Sequence, residues 1–116
     1  MKMVYICHPY SCDPDGNRKK IGAVFKLIRM HCKNVVPFSP VHAFGEFYDD
    51  GNDEDRQEVL KLCTGILKRC DEVWVFGRWW ESEGCRLEVK TAESFGIPVR
   101  FFDKYDKIDD LGEVSV

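Results

Sequence analysis

No apolar run in this chain approaches the ~20 residues of a membrane span, and its opening stretch, MKMVYICHPY, turns polar too soon for a signal peptide. A cytoplasmic protein without a membrane partner is expected. The six cysteines, Cys7, Cys12, Cys32, Cys63, Cys70 and Cys85, form no CxxC and no close Cys/His pairing of the zinc type. Their spacing therefore implies neither a metal site nor a bound cofactor, and reduced thiols acting as small hydrophobes are expected at Cys7, Cys32, Cys63 and Cys70. Lys and Arg are scattered rather than gathered into a stripe, and the net charge is −3 with a pI near 5.6. That balance argues against a nucleic-acid polymer as partner. Repeats, low-complexity tracts and linkers are also missing.

What remains is 116 residues, 44% hydrophobic and 32% charged, enough for one domain around one core. Residues 1–103 carry the patterned part, and 104–116 read as an acidic tail. Met3 to Cys7 is a short apolar run ended by His8, Pro9, Tyr10 and the turn-rich SCDPDGN, a strand feeding a loop. From Asn17, a plausible N-cap, the stripe Ile21, Val24, Phe25, Ile28 and Cys32 predicts a helix. Asn34 to Pro37 reads as a second strand, and Phe38 to Asp53 as a long loop containing SPVHAF and DDGND. A helix opening at Asp53 or Glu54 carries the stripe Val59, Leu60, Cys63, Ile66, Leu67 and Cys70, and Glu72 to Phe76 follows as a strand. The last helix spans Ser82 to Phe95, with Gly96 as its C′ residue and Val99 to Phe102 as the final strand. Strands alternating with helices predict a doubly wound, Rossmann- or flavodoxin-like α/β fold, with a parallel sheet and helices on both faces.

In such sheets ligands bind beyond the carboxyl ends of the strands. The residues collected there are His8, Tyr10, Ser11 and Asn17 after the first strand, Ser39 and His42 after the second, and Trp79, Ser82, Glu83 and Gly84 after the third. Glu88 stands out among them. It lies on or beside the apolar stripe Cys85, Val89, Ala92 and Gly96, where an ionised carboxylate is tolerated only if it is paired or if a polar pocket opens beside it. Glu88 is therefore expected in a pocket with a raised pKa, unless a donor such as Tyr5, Tyr10 or Ser82 supports its charge. Trp79, Trp80 or Phe44 could stack a base, and the helix start at Ser82 to Gly84 could take a phosphate.

YI-x-HPY near the start, SPVHAF, ILKRCDEVWVFG, the spacing Ser82-x-Gly84-x-x-x-Glu88 and finally GIPV together resemble the nucleoside 2-deoxyribosyltransferase-like superfamily, in particular a branch of small bacterial and phage domains. The resemblance covers Val4 to about Phe102. It implies that Glu88 attacks C1′ of a ribose or deoxyribose, expelling the base and leaving a glycosyl ester for water or another base to resolve. It also implies that Ser82 and the loop from His8 to Asn17 hold the ligand. A nucleoside or nucleotide is thus the expected partner. A homo-oligomer is expected too, in which a neighbouring subunit helps close a shallow site, with Trp79 or Trp80 across the interface.

Two departures from that pattern stand out. Active relatives carry an Asp in the middle helix, and the resemblance places Thr64 at that position, with Cys63 beside it offering no substitute. A threonine hydrogen-bonds a base but does not protonate one near neutral pH, so the role falls to Asp13, Asp15, Glu83 or water. The first loop is also more acidic than in nucleotide-hydrolysing relatives. Two further readings stay open: a non-catalytic domain that grips a nucleotide or an ADP-ribose-like ligand, and an interaction module built on Trp79, Trp80, Phe44, Phe47 and Tyr48.

Overall fold

Alternation along the first strand, Lys2–Cys7 (β1), sends Val4 and Ile6 to one face of the sheet and Tyr5 and Cys7 to the other, and all four are buried. The structure is a computed structural model, and it describes residues 1–102. β1 is central, between Val35–Phe38 (β2) and Glu72–Phe76 (β3), with Val99–Phe102 (β4) beyond β3. All pairings are parallel, in the order β2-β1-β3-β4. The helices are Pro14–His31 (α1), Pro40–Phe44 (α2), Asp53–Leu67 (α3) and Glu83–Ser94 (α4), with a single 3₁₀ turn at Trp79–Glu81. This is the expected doubly wound, flavodoxin-like architecture. The acidic tail expected over 104–116 lies outside the described residues.

That strand order decides the layers. The connection from β1 to β2 and those from β2 to β3 and β3 to β4 advance in opposite directions across the sheet, so right-handed crossovers put α1 on one face and α3 with α4 on the other. Side-chain packing agrees. Val24, Ile28 and Cys32 of α1 cluster with Val4, Ile6, Trp74 and Phe76. Cys63 and Leu67 of α3 and Cys85, Val89 and Ala92 of α4 cluster with Tyr5, Cys7, Val73 and Val75. No helix among the described residues is long and apolar enough to cross a membrane.

Helix boundaries follow their caps, and two of the starts differ from the sequence reading. α1 begins one turn before Asn17: Asp13 accepts from Gly16 N at 3.2 Å, and Pro14 occupies the first helical turn without needing a donor. The stretch read as a loop after β2 holds α2, because Ser39 caps His42 N at 3.3 Å ahead of Pro40. α3 opens at Asp53 as expected, and Asn52 caps it through Asp55 N at 3.0 Å. α4 starts after Ser82, whose hydroxyl accepts from Cys85 N at 3.3 Å. It ends in a Schellman turn: Ile97 N bonds Ala92 O at 2.9 Å and Gly96 N bonds Glu93 O at 3.2 Å, with Gly96 at a φ of 69° that disfavours any side chain.

At the amino edge of the sheet one carboxylate ties three strands together. Glu72 is buried at the start of β3 and accepts from Lys2 Nζ at 2.6 Å, Arg100 Nε at 2.7 Å and the Trp74 indole at 3.2 Å. Burial alone would raise its pKa, but the three donors outweigh that and hold it at about 2. A carboxyl depressed in this way stabilises the fold above its ordinary pKa, and that contribution disappears as pH falls toward the folded value. Glu72→Ala should lower the unfolding free energy by about 2 kcal/mol near neutral pH, since its two cations are partly exposed and soften the loss. Urea unfolding at a series of pH values checks this; the difference from wild type should shrink as pH falls from 4.5 toward 2.

Candidate functional site

The connections leaving β1 and β3 diverge to opposite sides of the sheet, and a crevice opens at the carboxyl end of such a switch point. Here it is a cavity of about 460 Å³, within the range of small-molecule sites. Ile6 and His8 line it from the end of β1, Pro40, Val41 and Phe44 from α2, Val59, Leu60 and Cys63 from α3, and Ser82, Gly84 and Glu88 from α4. Gly77, at a φ of 68°, turns the chain out of β3 so close to the first loop that an added Cβ would lie 3.5 Å from Pro9 Cδ.

Glu88 holds the centre of the site's chemistry. Its helix neighbours Cys85, Val89 and Ala92 are buried against the sheet, so the carboxyl is carried inward beside them while one side remains open to the cavity. The Tyr5 hydroxyl donates to Oε2, and the Cys7 thiol donates to Oε1 at 3.5 Å. Neither donor is charged, and among the described residues no cation pairs with the carboxylate. Burial raises its pKa, the Tyr5 and Cys7 hydrogen bonds pull the other way, and the result is about 7. Tyr5 is pushed well above its usual range by burial and by the charge of Glu88, so it stays a donor. Cys63 is pushed up to about 11, chiefly by burial.

The sequence-predicted residues fall into two groups. His8, Tyr10, Ser11, Ser82, Gly84 and Glu88 all line the cavity. His8 Nδ1 lies 2.7 Å from Pro9 O, and burial lowers the pKa of its ring. Tyr10 accepts from Arg18 at 3.1 Å, and Ser11 donates to Asp50 at 2.8 Å. Asn17, His42, Thr64 and Trp79 do not line the cavity. Asn17 is buried and donates to Tyr10 O at 3.1 Å, shaping the loop from behind. His42 sits 3.0 Å from Ser39 Oγ. Trp79 packs on Phe101 with ring centres 5.2 Å apart. Thr64 turns its hydroxyl back onto Leu60 O at 2.8 Å, while Cys63 faces the site. One residue along a helix is a rotation of about 100°, which separates a cavity position from one beside it. The apolar stripe of α3 runs through Cys63, and that phase was the available signal.

Other lining residues were not singled out from sequence. Asp49, Asp50 and Asp55 line the cavity together with Glu88 and the already expected Glu83, against the single guanidinium of Arg56 among the described lining residues. Of the carboxyls expected to replace the missing acid, Glu83 is present at the cavity, whereas Asp13 is occupied as the cap of α1.

An open parallel sheet with a cavity-facing carboxyl at its switch point is the arrangement at which α/β folds of this class form their ligand crevices. Residues 2–102 match the family model described as "Domain of unknown function (DUF7768)", and the chain belongs to that family. Among solved structures, it is similar to the 2-deoxyribosyltransferase of the psychrotolerant bacterium Bacillus psychrosaccharolyticus, described as a biocatalyst for the synthesis of antiviral and antitumoral nucleosides. The superposition has a TM-score of 0.71 and 16% identity, and it covers 93% of this chain and 90% of the other. The shared feature at that identity is the fold. No curated protein matches the sequence.

Because Glu88 keeps its proton to higher pH in the folded state than in the unfolded chain, its contribution to stability is complete below about 4.5 and lost as pH rises through about 7. Glu88→Gln should preserve the fold and be more stable than wild type above pH 7, by up to about 3 kcal/mol. The gap should close below pH 4.5. Thermal unfolding of both proteins across this window measures it, and a pH-independent gap would contradict the assignment.

Proposed function

We propose that the cavity binds a nucleoside and that Glu88 cleaves its N-glycosidic bond. The observation that carries this reading is a carboxyl of pKa about 7 that faces a 460 Å³ cavity and is held by Tyr5. A Glu88 oxygen bonds to C1′ as the bond from C1′ to the base nitrogen breaks, the electron pair leaves with the base, and a proton reaches the base from a cavity acid or water. The glycosyl ester is then resolved by water or by a second base. Positive character at C1′ favours the ionised carboxylate at the moment it is needed, and the buried setting strengthens that attraction. Among the described lining residues five carboxyls stand against one guanidinium and repel a phosphate, so an uncharged nucleoside fits better than a nucleotide.

The absence of a carboxyl at Cys63 supports a weakly active or purely binding version of the same site. Base release should be slow in wild type, abolished in Glu88→Gln, and raised in Cys63→Asp by up to the ~10²–10⁴-fold that a general acid supplies. Thr64→Asp should change it little, since that side chain does not line the cavity. Calorimetric titration with purine and pyrimidine deoxynucleosides and chromatography of free base measure binding and turnover separately. Wild-type turnover retained in Glu88→Gln would overturn the nucleophile assignment.

We also infer that the protein self-associates through the aromatic step Trp80–Trp79–Phe101, in which Trp80 is 52% and Phe101 48% exposed. Light scattering at micromolar concentration should give a dimer or larger, and Trp80→Glu should shift it toward monomer. A wild-type monomer would contradict this.

A further inference from the structure

Two thiols stand beside the Glu88 carboxyl, and the glycosyl chemistry uses neither of them. Cys7 is the last residue of β1, and Cys85 sits on the same face of α4 as Glu88, three residues earlier. Both thiols are buried, at 0% and 2% exposure, and Cys85 and Glu88 line the cavity. The two Sγ atoms and a Glu88 oxygen all lie within 4.8 Å of one another, with Cys7 Sγ 3.5 Å from Oε1. Tetrahedral zinc binds sulfur at about 2.3 Å and carboxylate oxygen at about 2.0–2.2 Å, which sets sulfur–oxygen edges of roughly 3.5 Å and sulfur–sulfur edges of roughly 3.8 Å. The three side chains are thus already spaced within small rotations of such a set.

We propose that Cys7, Cys85 and Glu88 form a three-ligand site for a thiophilic divalent cation of the zinc class, with the fourth coordination position open to the cavity. The ion enters through the cavity. Each thiol releases its proton to solvent and binds as a thiolate, and Glu88 binds as a carboxylate, so no electrons are transferred. Softness of the two sulfurs selects zinc or cadmium over magnesium or calcium. Tyr5, donating to the other carboxyl oxygen, fixes the ligand's orientation from behind. Local spacing rules miss the set because its thiols stand 78 residues apart on a strand and a helix. The site stands on the thiol geometry and not on the glycosyl reading, although a bound ion would occupy the oxygen that reading needs.

Titration of the reduced, full-length chain with Cd²⁺, followed by the sulfur-to-metal charge-transfer absorption, should saturate at one equivalent, and Zn²⁺ should compete for the same site. The double variant Cys7→Ala/Cys85→Ala should lose the band, while Cys12→Ala and Cys63→Ala should keep it. Glu88→Gln leaves both sulfurs in place and should weaken Cd²⁺ by at least about tenfold, the smallest effect seen even for groups one step removed from a metal. That variant decides the matter if the double variant fails to fold. The absence of a band at one equivalent, a band that survives in a folded double variant, or unchanged affinity in Glu88→Gln would overturn the proposal.

Discussion

The hydrogen bond from Tyr5 to Glu88 ties the centre of the sheet to the helix that closes the cavity, and the rest of the site is arranged around it. Tyr5 is fully buried in the central strand, so its hydroxyl has a fixed position and needs an acceptor. Glu88 arrives there because Cys85, Val89 and Ala92 dock α4 against the same face. A carboxyl in that position satisfies the tyrosine, yet among the described residues it meets no positive charge. Its ionisation is therefore resisted by burial and only partly rescued by neutral donors, and this balance leaves it at about 7. An apolar residue in its place would remove the buried charge but leave the Tyr5 hydroxyl without its acceptor.

A fully buried carboxyl at the other edge of the sheet shows the opposite solution to the half-buried Glu88. Glu72, at the amino edge, is matched by Lys2 and Arg100 and stays ionised down to about pH 2. Glu88, at the carboxyl edge, has a phenol and a thiol instead. The first arrangement ties three strands together; the second leaves a carboxyl that burial pushes up and only neutral donors offset. Parallel sheets place ligands at the carboxyl edge, and here the poised carboxyl lies at that edge while the fully paired one lies at the other.

Much of this was legible in the sequence. Alternating strands and helices gave the topology, and Glu88, an acidic residue beside Cys85 and Val89, was expected at a pocket and does face the cavity. The errors were errors of phase and cap. Asn17 has the right chemistry for an N-cap, but Asp13 followed by Pro14 competes for the same role one turn earlier and leaves Asn17 to brace the loop. Thr64 and Cys63 differ by one position, and only the helix's burial pattern tells which of them turns inward. The carboxyls of Asp49, Asp50 and Asp55 looked like ordinary loop and cap residues; their convergence with Glu83 depends on α2 and α3 folding over the end of β1, contacts far apart in sequence.

The bond proposed between Glu88 and the sugar carbon can be trapped. A 2′-fluorinated nucleoside slows breakdown of a glycosyl ester more than its formation, because the electron-withdrawing fluorine destabilises the oxocarbenium character needed for release. After incubation with such a compound, intact-mass spectrometry should show the chain heavier by one fluorosugar, fragmentation should place the addition on Glu88, and the Glu88→Gln protein should remain unmodified. Release of the base without any adduct on Glu88, or an adduct on another residue, would contradict the account.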